Sequence, residues 1–131
     1  MQATQPQPRP PATIFVVDDD PAVCNSLKFS LEIEGFAVRT YTDGRALLNE
    51  RDIPDYGCLV FDYNLTGMNG LELLAQMRQH HCELPAILIT THVSNSLRQR
   101  AGAAGMSVVE KPLMNSSLLD AINNILVPPS H

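Results

Sequence analysis

Between two polar ends, apolar runs and amphipathic segments alternate five times along the chain. Residues 12–17 (ATIFVV) form a β-rich run that stops at three aspartates, Asp18, Asp19 and Asp20. Pro21 comes next, at a place where the first turn of a helix tolerates proline. Val23, Leu27, Leu31 and Ile33 recur at helical spacing through 22–34, and Gly35 ends that helix. Residues 36–41 (FAVRTY) alternate, as a strand with one wetter face does. The segment 43–50 predicts a short helix with Ala46 and Leu47 facing inward. Residues 56–61 (YGCLVF) are apolar throughout, the signature of a strand buried on both faces. A helix over 71–78 carries Leu71, Leu74, Ala75 and Met77 as its apolar positions. Residues 85–90 (PAILIT) form a second fully apolar strand. A weak helix over 95–104 is polar apart from Leu97 and Ala101, and 106–109 predicts a short strand. The last helix spans 114–126, with Leu118, Leu119, Ile122, Ile125 and Leu126 on its apolar side.

Five consecutive βα units define an α/β chain with a five-stranded parallel sheet and helices on both faces. The ends fall outside this pattern. Residues 1–11 (MQATQPQPRPP) read as a flexible Pro/Gln-rich tail and 128–131 as a tail or the start of a linker, leaving 12–127 as the folded domain. A length of 131 residues fits one domain, and 44% apolar residues supply a core, which excludes disorder throughout. A net charge of −5 with scattered Lys and Arg argues against direct nucleic-acid binding by this chain. The three cysteines have no metal-type spacing, and Cys24 and Cys58 read as small core residues. His80 and His81 close a helix, where imidazolium would complement the helix dipole. With no leader and no run long enough to span a bilayer, the expected compartment is the cytoplasm, with no membrane partner.

In parallel α/β sheets ligands bind beyond the carboxyl ends of the strands. There the sequence sets Asp18-Asp19-Asp20, then Asp62, then Thr90-Thr91, then Glu110-Lys111-Pro112. Any one of these groups is an ordinary turn or surface residue; four on one edge are not explained that way. Clustered carboxylates repel one another unless a cation neutralises them. Oxygen donors without nearby His or Cys favour a hard divalent ion, Mg²⁺ or Mn²⁺. A lysine and a hydroxyl beside it suit a phosphoryl group, and a carboxylate in that setting can act as the nucleophile to give an aspartyl-phosphate.

Through VVDDDPAVCNSL, LVFDYNLTGMNGLELL, AILITTH and VVEKPL, over about 13–126, the chain resembles the CheY-like receiver domains of response regulators in bacterial two-component systems, especially those of FixJ/LuxR type. The resemblance implies the flavodoxin-like fold, with strand order 2-1-3-4-5. It further implies a phospho-acceptor, not an enzyme, with Asp62 receiving a phosphoryl group from a partner sensor histidine kinase. Asp18, Asp19, Asp62 and the backbone carbonyl of Asn64 match the metal ligands, with Asp19 the more direct of the acidic pair and Asp20 outside the set. Thr90 matches the hydroxyl that bonds the phosphoryl group, Lys111 the essential ammonium, and Pro112 the residue after it, usually cis-bonded. An attached DNA-binding output domain, or a homodimer through the helix 4–strand 5–helix 5 face, is the expected route of output. The alternative is a receiver that no longer takes phosphate and acts by protein contact alone.

Four departures from the family pattern bear on function. Thr66 stands where the loop after the acceptor usually has proline, so the segment 64–67 is expected to be more mobile or differently bent. Thr91 replaces the small residue after the switch hydroxyl, narrowing access to Asp62. Val108 replaces the switch aromatic, and the segment 105–111 is one residue short. Val108 with Thr91 predicts that the helix 4–strand 5–helix 5 face responds weakly or by another route. His92 lies two residues after the switch hydroxyl, where it could hold a water and make the phosphorylated lifetime sensitive to pH.

Overall fold

The computed structural model describes residues 11–111 and 117–126. The expected N-terminal tail up to residue 10, Pro112, the first turn of the last predicted helix at 114–116 and the end of the chain from 127 lie outside the described residues.

Ten main elements alternate along the chain. They are β1 (Thr13–Val17), α1 (Pro21–Ile33), β2 (Ala37–Tyr41), α2 (Gly44–Leu48), β3 (Gly57–Asp62), α3 (Gly70–Gln79), β4 (Ala86–Thr90), α4 (Asn95–Ala103), β5 (Met106–Glu110) and α5 (Ser117–Ile125). The strands form one parallel sheet in the order β2-β1-β3-β4-β5. A short antiparallel ladder, Asn64–Leu65 against Met68–Asn69, sits between β3 and α3. The order is the one the resemblance implies.

Strand alternation splits the core into two layers. Ile14 and Val16 of β1, with Val60, Ile87 and Ile89, pack against Cys24, Leu27 and Leu31 of α1 and Leu118 and Ile122 of α5. Phe15 and Val17, with Leu59, Phe61 and Leu88, pack against Leu47 of α2, Leu73, Leu74 and Met77 of α3 and Leu97 of α4. So β3 and β4 are buried along their whole length, which is why they carry no polar alternation. The two edge strands, β2 and β5, each have a wetter face. All three cysteines are buried and unpaired, and burial pushes the Cys58 thiol up to about 12. Among the described residues no helix is long and apolar enough to cross a membrane.

Three facings differ from those expected. Helix α2 has a single buried turn, with Gly44 and Leu47 inward and Ala46 exposed. In α3 the buried stripe is Gly70, Leu73, Leu74 and Met77, and Ala75 faces out. That stripe follows the i, i+3, i+4, i+7 pattern, so Leu73, which the sequence reading passed over, is fully buried. Ile33 lies beyond the Cys24–Leu27–Leu31 stripe and is 66% exposed, as is Phe29 at 69%.

Candidate functional site

The strands deliver their last residues to one edge because they are parallel and in register. Val17, the end of β1, pairs with Phe61 of β3, and Asp62 pairs with Ile89 of β4. Thr90 pairs with Glu110 of β5, and the Lys111 N–H donates to the Thr90 carbonyl at 2.7 Å. Asp18 therefore follows β1, Asp62 closes β3 and Lys111 follows β5, side by side. Helix α3 reaches this edge through Gly70: a Cβ there would stand 2.7 Å from the Asp62 carbonyl oxygen and 2.6 Å from Leu88 Cδ1. Only glycine permits that approach, and the Asn69/Glu72 capping box then starts the helix.

One ammonium joins two strands' carboxylates. Lys111 Nζ donates to Asp18 Oδ2 at 2.8 Å and to Asp62 Oδ2 at 3.3 Å. Asp18 is 1% exposed, and its second oxygen accepts from the Asp20 N–H at 2.9 Å. Asp62 is buried too, and its Oδ1 accepts from the Asn64 N–H at 3.2 Å. Burial first, then the neighbouring Asp18 carboxylate, raises the pKa of Asp62, against the pull of Lys111 and the Asn64 N–H. Burial alone would lower the pKa of Lys111, but its bond to Asp18 and the charges of Asp62 and Asp18 hold it above the usual lysine value. Lys111 is therefore charged at neutral pH.

Asp20 caps α1 by accepting from the Ala22 N–H at 2.9 Å. Asp19 is turned differently from Asp18. Its Oδ2 accepts from the Thr66 hydroxyl at 2.7 Å, while its Oδ1 is buried with no hydrogen-bond partner. Two carboxylates thus share one ammonium, and the third, Asp19, keeps one oxygen bare. Among the described residues no three acidic, imidazole or thiol groups close round a single point as a ready-made cage. The reason is visible in the bonding, since Lys111 occupies the space between Asp18 and Asp62. The all-oxygen donor set, its excess negative charge and the bare Asp19 Oδ1 fit a hard divalent cation with water completing its shell.

The loop without proline is the hairpin between β3 and α3. It closes as a tight hairpin, Leu65 opposite Met68, with Gly67 at φ +84° supplying the left-handed turn. Thr90 is 1% exposed, but its hydroxyl is not bonded to the acid–lysine cluster: it donates to the His92 carbonyl and accepts from the His92 N–H, both at 3.3 Å. Thr91 and His92 are exposed at the start of the same loop. Val108 is half-buried on β5 opposite Leu88, in the layer under α2, α3 and α4. Pro112 lies outside the described residues. Two contacts had no signal in the sequence: Thr66 with Asp19, and Arg100 of α4 with Tyr63. The Arg100 guanidinium sits 5.8 Å from the Tyr63 ring centre and donates to its hydroxyl at 3.3 Å.

The family model of the response regulator receiver domain matches residues 14–123. The chain belongs to this family. It is 32% identical over 114 residues to the transcriptional regulatory protein FixJ of Bradyrhizobium diazoefficiens, covering 86% of this chain and 56% of that protein. It is 34% identical over 110 residues to FixJ of Azorhizobium caulinodans, covering 83% of this chain and 52% of that one. The chain thus spans about half the length of these curated relatives. The crystal structure of FixJ-N superposes with a TM-score of 0.78 at 30% identity, over 94% of this chain and 99% of that one. The Vibrio cholerae chemotaxis protein CheY4 superposes at 0.79 and 26% identity, over 89% of this chain and all of that one.

Proposed function

We propose that Asp62 is the phospho-acceptor of this receiver and that a partner sensor histidine kinase is its donor. The observation that carries the proposal is the Lys111 ammonium held between Asp18 and Asp62 at the ends of three strands. A carboxylate oxygen of Asp62 attacks the phosphorus of a phospho-imidazole in line. The P–N bond breaks, the imidazole leaves with its electron pair, and the phosphoryl group is carried as a mixed anhydride. Lys111, already charged, offsets the negative charge that builds on the transferred oxygens without having to gain a proton. Asp18 keeps that ammonium in place through the shorter of its two bonds.

Asp19, Asp62, the Asn64 carbonyl and, more remotely, Asp18 would hold Mg²⁺ or Mn²⁺, which when bound supplies neutralisation of phosphoryl oxygens. Thr90 would meet the phosphoryl group by giving up its two bonds to His92. Both are long for hydroxyl hydrogen bonds, so the exchange costs little. His92, exposed beside it, would order a water near the acceptor, and Thr91 would restrict its entry. Val108 offers no ring to rotate behind Thr90. Output then passes through protein contacts, either a homodimer at the α4–β5–α5 face or an attached DNA-binding domain of the kind that the FixJ relatives' description as transcriptional regulators suggests. The chain acts as a phospho-acceptor in the cytoplasm and, with a net charge of −5, does not itself bind nucleic acid.

Incubating the chain with Mg²⁺ and acetyl phosphate, and separately with a phosphorylated histidine kinase, tests this by intact mass. One phosphoryl group gained by the wild type and none by Asp62→Ala is the expected result. Failure with both donors would sink the assignment, as would equal uptake by the variant.

A further inference from the structure

The hairpin after Asp62 differs from the family pattern at Thr66, and the structure shows what the replacement touches. Proline has no donor to offer at this position. Threonine has a hydroxyl, and here it donates across 47 residues of chain to Asp19 Oδ2 at 2.7 Å. That length is typical of a hydroxyl bonded to a charged oxygen. Among the described residues it is the only side-chain hydrogen bond made to Asp19.

The other oxygen of the same carboxylate, Oδ1, is buried and bare. A carboxylate oxygen in that position loses its hydration and receives nothing in return. Asp19 as a whole is half-exposed, so a free side chain would rotate to wet that oxygen. The Thr66 bond opposes the rotation. It does so while Lys111, the one ammonium of the cluster, is committed to Asp18 and Asp62. Asp19 Oδ1 is therefore the oxygen with the most to gain from an added cation.

We infer that Thr66 is a positioning residue for the divalent cation: its hydroxyl locks the Asp19 carboxylate with Oδ1 dry and facing the site before the ion arrives. This rests on the reading of the acidic edge as a cation site. The ordering that binding would otherwise impose on Asp19 is done by the fold, and the ion relieves a desolvated oxygen, so both effects strengthen binding. Gly67, with its left-handed backbone, closes the hairpin that carries Thr66. The hydroxyl also ties the β1–α1 loop to the β3–α3 hairpin, so the two loops that carry Asp19 and Asn64 move as one unit.

Calorimetric titration with Mn²⁺ on the wild-type chain and on Thr66→Val, Thr66→Ser and Asp19→Asn tests the inference. Valine keeps the shape and deletes the donor, and serine keeps the donor. Thr66→Val should bind Mn²⁺ about tenfold more weakly, with Thr66→Ser within about twofold of wild type. The rise in melting temperature produced by Mn²⁺ should shrink in the valine variant and return in the serine variant. Melting without the ion checks that each variant folds; should valine fail, Thr66→Ala takes its place. Valine binding within about twofold of wild type would overturn the inference, and so would serine binding as weakly as valine, which would assign the effect to the backbone. Asp19→Asn separates the two levels. If it binds Mn²⁺ as the wild type does, the cation-site reading fails; if it loses binding while valine keeps it, that reading stands and the role of Thr66 falls.

Discussion

Two parts of the same sheet edge are wired in opposite ways. On one side, Lys111 bonds Asp18 and Asp62 while Thr66 bonds Asp19, so contacts cross between β1, β3 and β5. On the other, the hydroxyl of Thr90 bonds only to the backbone of its own loop, two residues on. The first part is assembled by long-range contacts and charge, and it is ready for chemistry. The second is buried at the end of β4, yet its hydroxyl is not bonded to the charges of the first. A site that accepts a group and then reports it needs this division. Groups that neutralise charge must be in position beforehand, whereas a group that senses the product must have somewhere else to be when the product is absent.

Breaking the assembled half should have the largest effect. Lys111→Met leaves two buried carboxylates facing each other with no cation, and removing one partner of a buried pair costs about 3 kcal/mol. Urea unfolding should show that loss, and Mg²⁺ should return part of it by taking over the missing positive charge. No change in the midpoint would mean the Lys111 pair carries no structural load.

Asp62→Asn tests the same half from the other sign. Burial and Asp18 raise the folded-state pKa of Asp62 above its unfolded value. The folded protein then takes up the proton first as pH falls, so this group's destabilising contribution is fully present above the raised pKa. It fades as pH drops through that value toward the usual carboxylate range. The asparagine variant should therefore have the higher urea midpoint at neutral pH, and its lead over the wild type should narrow on acidification. A lead that widens toward acid pH would contradict the assignment.

Thr90→Ala addresses the unconnected half. Losing two 3.3 Å bonds to His92 should cost about 1 kcal/mol. Its Mn²⁺ affinity should match the wild type, because Thr90 touches none of the carboxylates. A large loss of affinity would show that the two halves are already coupled. The smallest effect expected is that of Arg100→Met, which removes a cation–π and hydrogen-bond contact worth about 0.5 kcal/mol at this exposed position. Tyr63 emission reports the contact once Tyr41→Phe and Tyr56→Phe remove the other two tyrosines of a chain without tryptophan. An unchanged spectrum would mean that Arg100 and Tyr63 do not interact in solution.

Much of the fold was legible because its signals are local. The apolar runs ending in Asp18, Asp62 and Thr90 mark buried parallel strands whatever lies around them, and Pro21 and Gly35 bracket α1. Which residue of a short helix faces inward was less legible. Leu73 and Ala75 of α3 differ by only two positions, and the register of that helix is set by Gly70 meeting the Asp62 carbonyl, a contact absent from any helical pattern. A substitution of Leu73 by alanine should accordingly cost about 3 kcal/mol in urea unfolding, whereas Ala75 should tolerate polar replacement.

The site divides along the same line. Residue types and strand ends alone set which groups stand at the sheet's carboxyl edge, because a parallel sheet delivers every strand end to one side. Partnership is another matter. Lys111 meets Asp18 across 93 residues and Thr66 meets Asp19 across 47, and no local pattern encodes either distance. Those pairings and the bare oxygen of Asp19 arise only when strand order and loop closure bring the charged groups together and bury them.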